Sequence, residues 1–199
     1  MKVTKEIAQQ HHDDLVQAAS HIMRKRGIEA TGVSDVCRAA GLTHGAFYRH
    51  FESKEALILE ACAAAFQWTI TDIDDVDAPG RSALPLIERY LSTAHRDAPG
   101  SGCPVAALAC DVSRGGTPLA DVFSSGIRRY IDAFAEVLPE TQSRARAAGS
   151  RRARAIKTLS GMVGALILAR AAARSDPELS AEILEAARKG AQENAKTSS

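Results

Sequence analysis

Several features that mark common classes of protein are missing from this chain of 199 residues. Aromatic side chains make up only 5% of it, and its four cysteines have no regular spacing, which argues against a disulfide framework. No apolar run reaches the roughly 20 residues of a membrane span, and the N-terminus has no apolar signal core. These absences predict a cytoplasmic protein with no membrane partner.

An excess of charge of one sign is also missing, because 25 Lys and Arg against 24 Asp and Glu give a formal net charge of +1. The sequence contains no metal-ligand cluster, no phosphate-binding glycine loop and no Gly-x-Ser-x-Gly motif. We therefore predict no metal, no cofactor and no enzyme. What the chain does have is a hydrophobic content of 45% in which alanine dominates, and this composition favours an all-α fold.

The strongest functional pattern lies in residues 31–59. Val33 and Val36 have helical spacing, and Gly41 suits the positive-φ turn that ends a helix. Thr43 is placed to cap a second short helix by accepting a backbone N–H. Two short helices joined by a tight turn are typical of a helix-turn-helix, which places its second helix in the DNA major groove.

The predicted DNA contacts are small, polar or cationic residues of this segment. Phe47 and Phe51 are expected to face inward, and Ser53 is expected to cap a further helix that begins with Lys54. Side chains that donate hydrogen bonds to phosphate, and glycines that allow close backbone approach, are what such a surface requires. The predicted contacts are Gly32, Ser34, Thr43, His44, Gly45, Tyr48, Arg49, His50 and Lys54.

The same segment resembles the DNA-binding domain of the TetR family of bacterial one-component repressors. The matching residues are Gly27, Thr31, Val33-x-Asp35-Val36, Ala39-Ala40-Gly41-Leu42-Thr43 and Phe47-Tyr48-Arg49-His50-Phe51-x-Ser53-Lys54-Glu55-Ala56-Leu57. The resemblance implies a three-helix head, a larger all-helical body that binds an effector and dimerises, and repression relieved by a small molecule. Two residues depart from the family pattern: Gly32 stands where Ser or Thr usually caps the helix, and Cys37 stands where Ala is usual.

The resemblance and the helical periodicity predict a helix-turn-helix DNA-binding domain over residues 1–52 and an effector-binding and dimerisation domain over residues 53–199. A first helix is expected over residues 5–26, ended by Gly27. Six helices are expected in the body, at about 54–71, 81–97, 104–113, 117–138, 150–174 and 177–194, which gives about nine in all. The tail after about residue 194 is predicted to be disordered.

The last two predicted helices carry an apolar stripe, and Gly161 and Gly164 permit close helix approach. The predicted interface residues are Leu159, Met162, Val163, Leu166, Ile167, Ile183 and Ala187. A four-helix homodimer interface, which the resemblance also implies, would let two heads read two half-sites of a palindromic operator. The alternative is that the stripe is intramolecular core, to which part of it belongs.

A small, mostly apolar or aromatic effector suits a helical cavity lined by large side chains of the body. The candidate lining residues are Phe66, Trp68, Tyr90, His95, Phe123 and Tyr130. Cys103 is a sharper candidate, because Pro104 fits the first helical position and the helix dipole at an N-cap lowers the pKa of a thiol. A Gly-Cys pair opening the sixth helix also resembles a TetR subgroup that responds to electrophiles or oxidants. The alternative is a buried structural cysteine.

Two other functions stay open on the sequence alone. Cys103 and His95, with Asp97 or Asp111 orienting the imidazole, would describe a Cys/His-dependent enzyme, although nothing in the spacing requires these groups to meet. A family member that binds a protein partner and has lost DNA binding is the second alternative, and the DNA-contact residues retained in the head argue against it. We therefore favour a transcriptional regulator, a repressor, that binds double-stranded DNA as a homodimer.

Overall fold

The computed structural model describes residues 5–74, 82–139 and 147–196. These ranges contain ten α-helices, one short 3-10 helix and no strand, which confirms the predicted all-α class. The helices are α1 Lys5–Arg26, α2 Val33–Ala39, α3 His44–Phe47, α4 Lys54–Asp74, α5 Ala83–Tyr90, α6 Thr93–Asp97, α7 Pro104–Ser113, α8 Thr117–Glu136, α9 Ala147–Ala172 and α10 Pro177–Lys196.

The tenth helix arises because the segment predicted as one helix over residues 81–97 forms two. Leu91 leaves the helical conformation, with φ −94° and ψ 43°. The Ser92 hydroxyl oxygen then accepts the backbone N–H of His95 at 3.1 Å and caps a new helix. The helix that follows Cys103 is therefore α7 and not the sixth.

The C-terminal helix α10 extends to Lys196, so residues 195 and 196 are helical where a disordered tail was predicted. Residues 197–199 lie outside the described residues.

The chain divides into two compact units. The first comprises Met1–Gln67 and Gly100–Gly126, and the second comprises Trp68–Pro99 and Ile127–Ser199. The first unit therefore joins the predicted head to α7, which is distant from it in sequence. The functional boundary expected between residues 52 and 53 stays a prediction.

The core of the first unit is built around one face of α1. Leu15, Ala19 and Met23 are fully buried, and their spacing of four residues places them above one another on the helix. Val36 from α2 and Phe47 from α3 are equally buried and complete this core. The burial of these large side chains from three short elements is what holds the two helices of the turn in place.

The second unit is organised by the hairpin of α9 and α10, and α10 also contacts α5. Asp176 caps α10, since its carboxylate accepts the backbone N–H of Leu179 at 2.9 Å. One turn later the buried Ser180 hydroxyl donates to the carbonyl of Ala169 at 2.7 Å. The hydroxyl thereby ties α10 to the end of α9, and the short connection makes the two helices antiparallel neighbours.

One segment of α9, Arg151–Ala172, is long and apolar enough to cross a membrane by length and composition alone. This corrects the prediction that no apolar run reaches that length. Core helices of soluble proteins meet the same criterion. Leu159, Met162 and Leu166 within the segment are at most 5% exposed and pack in the protein's own core.

Candidate nucleic-acid interface and effector site

Helices α2 and α3 are joined by the turn that the sequence predicts. Gly41 has a φ of +68°, a conformation that side chains with a Cβ rarely adopt. The backbone N–H groups of Gly41 and Leu42 donate to the carbonyls of Arg38 and Cys37 at 3.2 and 2.8 Å, which is a Schellman motif. At the other end of α2, Gly32 provides no side-chain cap, as its departure from the family pattern predicts.

Helix α3 buries one side and exposes the other. The Thr43 hydroxyl oxygen accepts the backbone N–H of Ala46 at 3.3 Å, which confirms the predicted cap. Phe47 is fully buried, whereas Tyr48 is 61% exposed. A Cβ placed on Gly45 would meet no atom within 4 Å, so the backbone there is open to an approaching surface.

Helix α4 begins beside α3 in sequence and places a cation in its first turn. The Ser53 hydroxyl oxygen accepts the backbone N–H of Ala56 at 3.1 Å, which confirms the predicted cap. Lys54 is the first helical residue, and its ammonium donates to the carbonyl of Glu29 at 3.3 Å. Lys54 is half-buried, as is Gly32, whereas Ser34, Thr43, His44, Gly45 and Arg49 are exposed like Tyr48. All nine predicted contacts lie in the first unit, and their contact with DNA stays a prediction.

His50 is half-buried and lies beside two histidines of α1. Its ring centroid is 6.1 Å from that of His12 and 6.3 Å from that of His11. Burial lowers the pKa of His50, and His12, His11 and Arg49 lower it further. His12 also lies 3.4 Å from a carboxylate oxygen of Glu60. Sequence reasoning missed this cluster because its members are far apart along the chain.

A buried arginine attaches α7 to α1. Arg24 is 8% exposed, and its guanidinium donates to the carbonyls of Gly102 at 2.7 Å and Ser20 at 3.0 Å. Burial lowers the pKa of Arg24, and the negative charge of the neighbouring Cys103, when ionised, raises it. In the described part of the chain no carboxylate pairs with this cation. The sequence gives no signal for its role, since it is one of three basic residues that end α1.

Cys103 occupies the N-cap position of α7, with Pro104 as the first helical residue, as predicted. The thiol makes no capping hydrogen bond with the helix, however, and the side chain is only 3% exposed. The contact with free N–H groups that was expected to favour the thiolate is therefore not formed. Cys37, Cys62, Cys103 and Cys110 form no disulfide, and Cys110 is exposed.

The second attachment of α7 to α1 involves Asp111. One carboxylate oxygen accepts the backbone N–H of Ile28 at 3.0 Å, and the other accepts from the Arg114 guanidinium at 3.1 Å. Gly27, with φ +92°, approaches this carboxylate so closely that a Cβ would lie 3.1 Å from it. Helix α7 thus holds the C-terminal end of α1 and the loop after it through Gly102 and Asp111.

The predicted effector residues divide between the two units. Phe66 and Phe123 belong to the first unit with Cys103, and their rings meet edge to face at 5.1 Å. The second unit holds Trp68, Tyr90, His95 and Tyr130. Trp68 is 41% exposed, whereas the two tyrosines are buried. A pocket that uses all of these residues stays a prediction.

The imidazole of His95 lies against a backbone carbonyl. Its Nδ1 is 2.7 Å from the Tyr90 carbonyl oxygen, which can only accept, so Nδ1 carries a proton. Burial lowers the pKa of His95, and the carbonyl partly opposes this shift. Asp97 pairs with Arg96 at 2.7 Å. Asp111 accepts a hydrogen bond from Ile28, in the loop after α1. Within the described ranges no group of His, Cys, Asp and Glu can hold a metal ion.

The residues predicted for the dimer interface differ in burial. Leu159, Met162 and Leu166 are buried inside the protomer, whereas Ile167 is 37% exposed. Val163, Ile183 and Ala187 are partly exposed. The exposed large apolar residues of α9 and α10 also include Ile156 and Leu179, which belong to the apolar stripe seen in the sequence, and Leu168, which the sequence did not single out. The spacing of apolar residues in the sequence predicts an apolar helix, but it does not predict which of those residues are buried within the protomer.

Comparison with known proteins identifies the first unit's N-terminal segment. Residues 15–61 match the profile of a family described as bacterial regulatory proteins, tetR family. Over 122 residues the chain is 28% identical to the HTH-type transcriptional repressor DhaR of Mycobacterium sp. (strain GP1), covering 59% of this chain and 58% of that one. Over 56 residues it is 38% identical to the HTH-type transcriptional repressor KstR2 of Mycolicibacterium smegmatis, covering 28% of this chain and 27% of that one. The chain thus matches less than two thirds of the length of these curated relatives.

Solved structures share the fold over a larger part of the chain. The reduced form of NemR from E. coli superposes with a TM-score of 0.73 at 18% identity, covering 92% of this chain and 95% of that one. This likeness shows that the arrangement of helices is common to both chains.

Proposed function

Because the chain belongs to the TetR family of bacterial regulatory proteins, we propose that it is a DNA-binding transcriptional repressor that works in the cytoplasm. The observation that carries the proposal is the pair α2 and α3. A Schellman turn at Gly41 leads into a capped short helix that buries Phe47 and leaves Tyr48 61% exposed. The relatives DhaR and KstR2 are named transcriptional repressors and not enzymes.

Helix α3 enters the major groove in this proposal, with the residues from Thr43 to Tyr48 facing the bases and the adjacent phosphates. Lys54 stands at the N-terminus of α4, where free N–H groups and the helix dipole favour an anion. The ammonium of Lys54 donates to a neutral carbonyl, which leaves its positive charge for a phosphate oxygen. With a formal net charge of only +1, affinity for random DNA is modest and falls steeply with salt.

The repressor acts as a homodimer, and the exposed apolar face of α9 and α10 supports this part of the proposal. Leu168 is 59% exposed, and Ile156 and Leu179 are more than 40% exposed. A Cβ on Gly161 or Gly164 would meet nothing within 4 Å, so this side of α9 is open to a second helix. Two heads related by symmetry would then read the two halves of a palindromic operator.

The effector is a small molecule or an electrophile, and Cys103 is the residue that an electrophile would modify. With an unsaturated carbonyl compound, the sulfur forms a bond to the β-carbon as the carbon–carbon π bond breaks, and the thiol proton is transferred through solvent to the α-carbon. Because Cys103 is only 3% exposed, the added atoms require the start of α7 to move. The Gly102 carbonyl next to it accepts a hydrogen bond from Arg24, so that movement is transmitted to α1. DNA affinity falls to the extent that the effector discriminates between the two arrangements.

Selection of bound duplexes from a random DNA pool tests the proposal, with the purified chain in the presence and absence of a thiol-reactive electrophile. Enrichment of a roughly palindromic site supports a dimeric repressor, and loss of that site on treatment supports the electrophile effector. The variant Cys103→Ser should keep the site and lose the response, whereas the exposed Cys110→Ser should keep both. Absence of enrichment at moderate salt would move the protein-partner alternative ahead of DNA binding.

A further inference from the structure

A cleft in the first unit lies between the loop after α1, the start of α4 and the turn from α7 to α8. Its volume is about 440 Å³, which falls in the range of about 300–1,000 Å³ typical of small-molecule pockets. None of the residues predicted to contact an effector lines it. The cleft is therefore a separate candidate site.

The inner wall of this cleft is apolar. Ile28, Ile58 and Leu119 line it, and Ile58 is only 5% exposed. On the side of the α7–α8 turn the lining includes Gly115 and Gly116, which contribute no side chain to fill the space. An apolar molecule that enters the cleft removes its own surface and that of these side chains from water.

Five charged side chains line the cleft, two basic and three acidic. Arg114 and Asp111 form an ion pair at 3.1 Å, and Asp111 also accepts the N–H of Ile28, so this pair contributes no net charge. The remaining three are Lys54, Glu29 and Glu55, with a sum of −1. Lys54 donates to the neutral main-chain carbonyl of Glu29. Among the described residues the Glu29 carboxylate forms no ion pair, so it is available to a cation.

Glu55 stays negatively charged at neutral pH. Hydrogen bonds from its own backbone N–H and from Ser53 lower its pKa. The mouth of the cleft is therefore weakly acidic, and it favours a positive head group over a negative one.

We propose that this cleft binds a small apolar molecule that carries a protonated amine. The apolar body contacts Ile58 and Leu119, and the ammonium lies at the carboxylates of Glu29 and Glu55. Every lining residue belongs to the first unit, so binding can be tested without DNA. The proposal goes beyond the repressor function, and the failure of either one leaves the other standing.

Isothermal titration calorimetry with three probes of one shape tests this site: 4-phenylbutylamine, 4-phenylbutanol and 4-phenylbutanoate at neutral pH. The amine should bind at one site per chain, at least about fivefold more tightly than the carboxylate, with the alcohol between them. Leu119→Trp fills the cleft and should remove binding of all three probes. A thermal melt of this variant verifies that it is folded.

Glu29→Gln provides a second variant at an exposed position where the fold is not at stake. It should weaken binding of the amine about two- to fivefold and leave binding of the alcohol unchanged. Only the amine is charged, so only the amine loses an ionic partner when the carboxylate is removed. Glu52→Gln is the matched control, since Glu52 is also exposed in the head but does not line the cleft.

Three results would overturn the proposal. They are no binding of the amine, tighter binding of the carboxylate than of the amine, or amine binding that survives in a folded Leu119→Trp variant.

Discussion

At the scale of single residues, the side chains that matter most for the head are those whose partners lie far away in sequence. Arg24 reaches Gly102, and Asp111 reaches Ile28. The capping residues behave differently, because Thr43 and Ser53 bond to N–H groups three residues on. Such local bonds can be anticipated from sequence, whereas the distant ones require the fold.

Lys54→Ala should weaken operator binding and reduce the slope of log affinity against log salt by about one. The reason is the loss of a cation at the start of α4 whose ammonium donates to a neutral carbonyl. Fluorescence anisotropy with a selected duplex at several salt concentrations measures both quantities. Lys25→Ala, which removes an exposed cation of α1, should change the affinity much less. Equal losses in the two variants would mean that Lys54 acts only through total charge.

His95 gives a pH-dependent contribution to stability whose sign follows from its lowered pKa. Because the folded state binds a proton at His95 less readily than the unfolded state does, acidification favours the unfolded state. The contribution of His95 is therefore complete above the unfolded pKa of about 6.5 and is lost as the pH falls toward the folded-state value.

His95→Asn keeps a donor for the Tyr90 carbonyl but does not titrate. Urea unfolding at about pH 7.5 and pH 5.5 should show a larger loss of stability on acidification in the wild type than in this variant. An equal loss in both proteins would show that other groups account for the acid sensitivity.

At the scale of elements, the packing of α8 on α4 in the first unit depends on one glycine. A Cβ on Gly126 would lie 2.3 Å from the ring of Phe66, which is too close for any real contact. The ring of Phe66 also meets Phe123. The absence of a side chain at Gly126 therefore sets the distance between these two helices.

Gly126→Ala should lower the free energy of unfolding by about 1–3 kcal/mol, because the ring must shift in a filled core. Gly190→Ala on α10 is the matched control: nothing lies within 4 Å of its Cβ position, so helix propensity should raise stability by up to about 1 kcal/mol. Chemical denaturation of both variants measures these changes. Effects of the same sign would contradict the packing argument.

The attachment of α7 to the loop after α1 gives a third stability prediction. Asp111→Ala removes the acceptor of the Ile28 N–H and the partner of Arg114, and it should cost about 1–3 kcal/mol. Asp121→Ala on the exposed side of α8 should stay within about 0.5 kcal/mol of the wild type. The same urea titrations test this pair, and a neutral Asp111→Ala would show that the two contacts add little.

The helices of the head could be predicted from sequence almost residue by residue, because their caps and turn residues are local. The helix predicted over 5–26, the turn at Gly41 and the caps at Thr43 and Ser53 are all confirmed. The segment 81–97 was predicted wrongly as one helix because its apolar spacing continues across Leu91, where Ser92 starts a new cap. The cluster of His50 with α1 was missed for another reason: nothing local in the sequence joins residues so far apart.

At the scale of the whole molecule, the exposed apolar face of α9 and α10 determines the oligomeric state that we propose. Leu168→Asp should shift the protein from dimer to monomer, because a charge on this face opposes burial against a second copy. Light scattering after size exclusion measures the mass. Ile7→Asp is the matched control, since Ile7 is 44% exposed but lies on α1, and it should leave the mass unchanged. A monomeric wild type would remove the dimer from the proposal.

The discontinuous first unit also has a consequence for the order of events during synthesis. The head emerges from the ribosome first, but the chain must grow from residue 67 to residue 126 before the unit is complete. At about 5–20 residues per second this takes roughly 3 to 12 seconds. Until residue 102 has emerged, the Arg24 guanidinium lacks its Gly102 acceptor, so in the first part of that interval the nascent head is held without this contact.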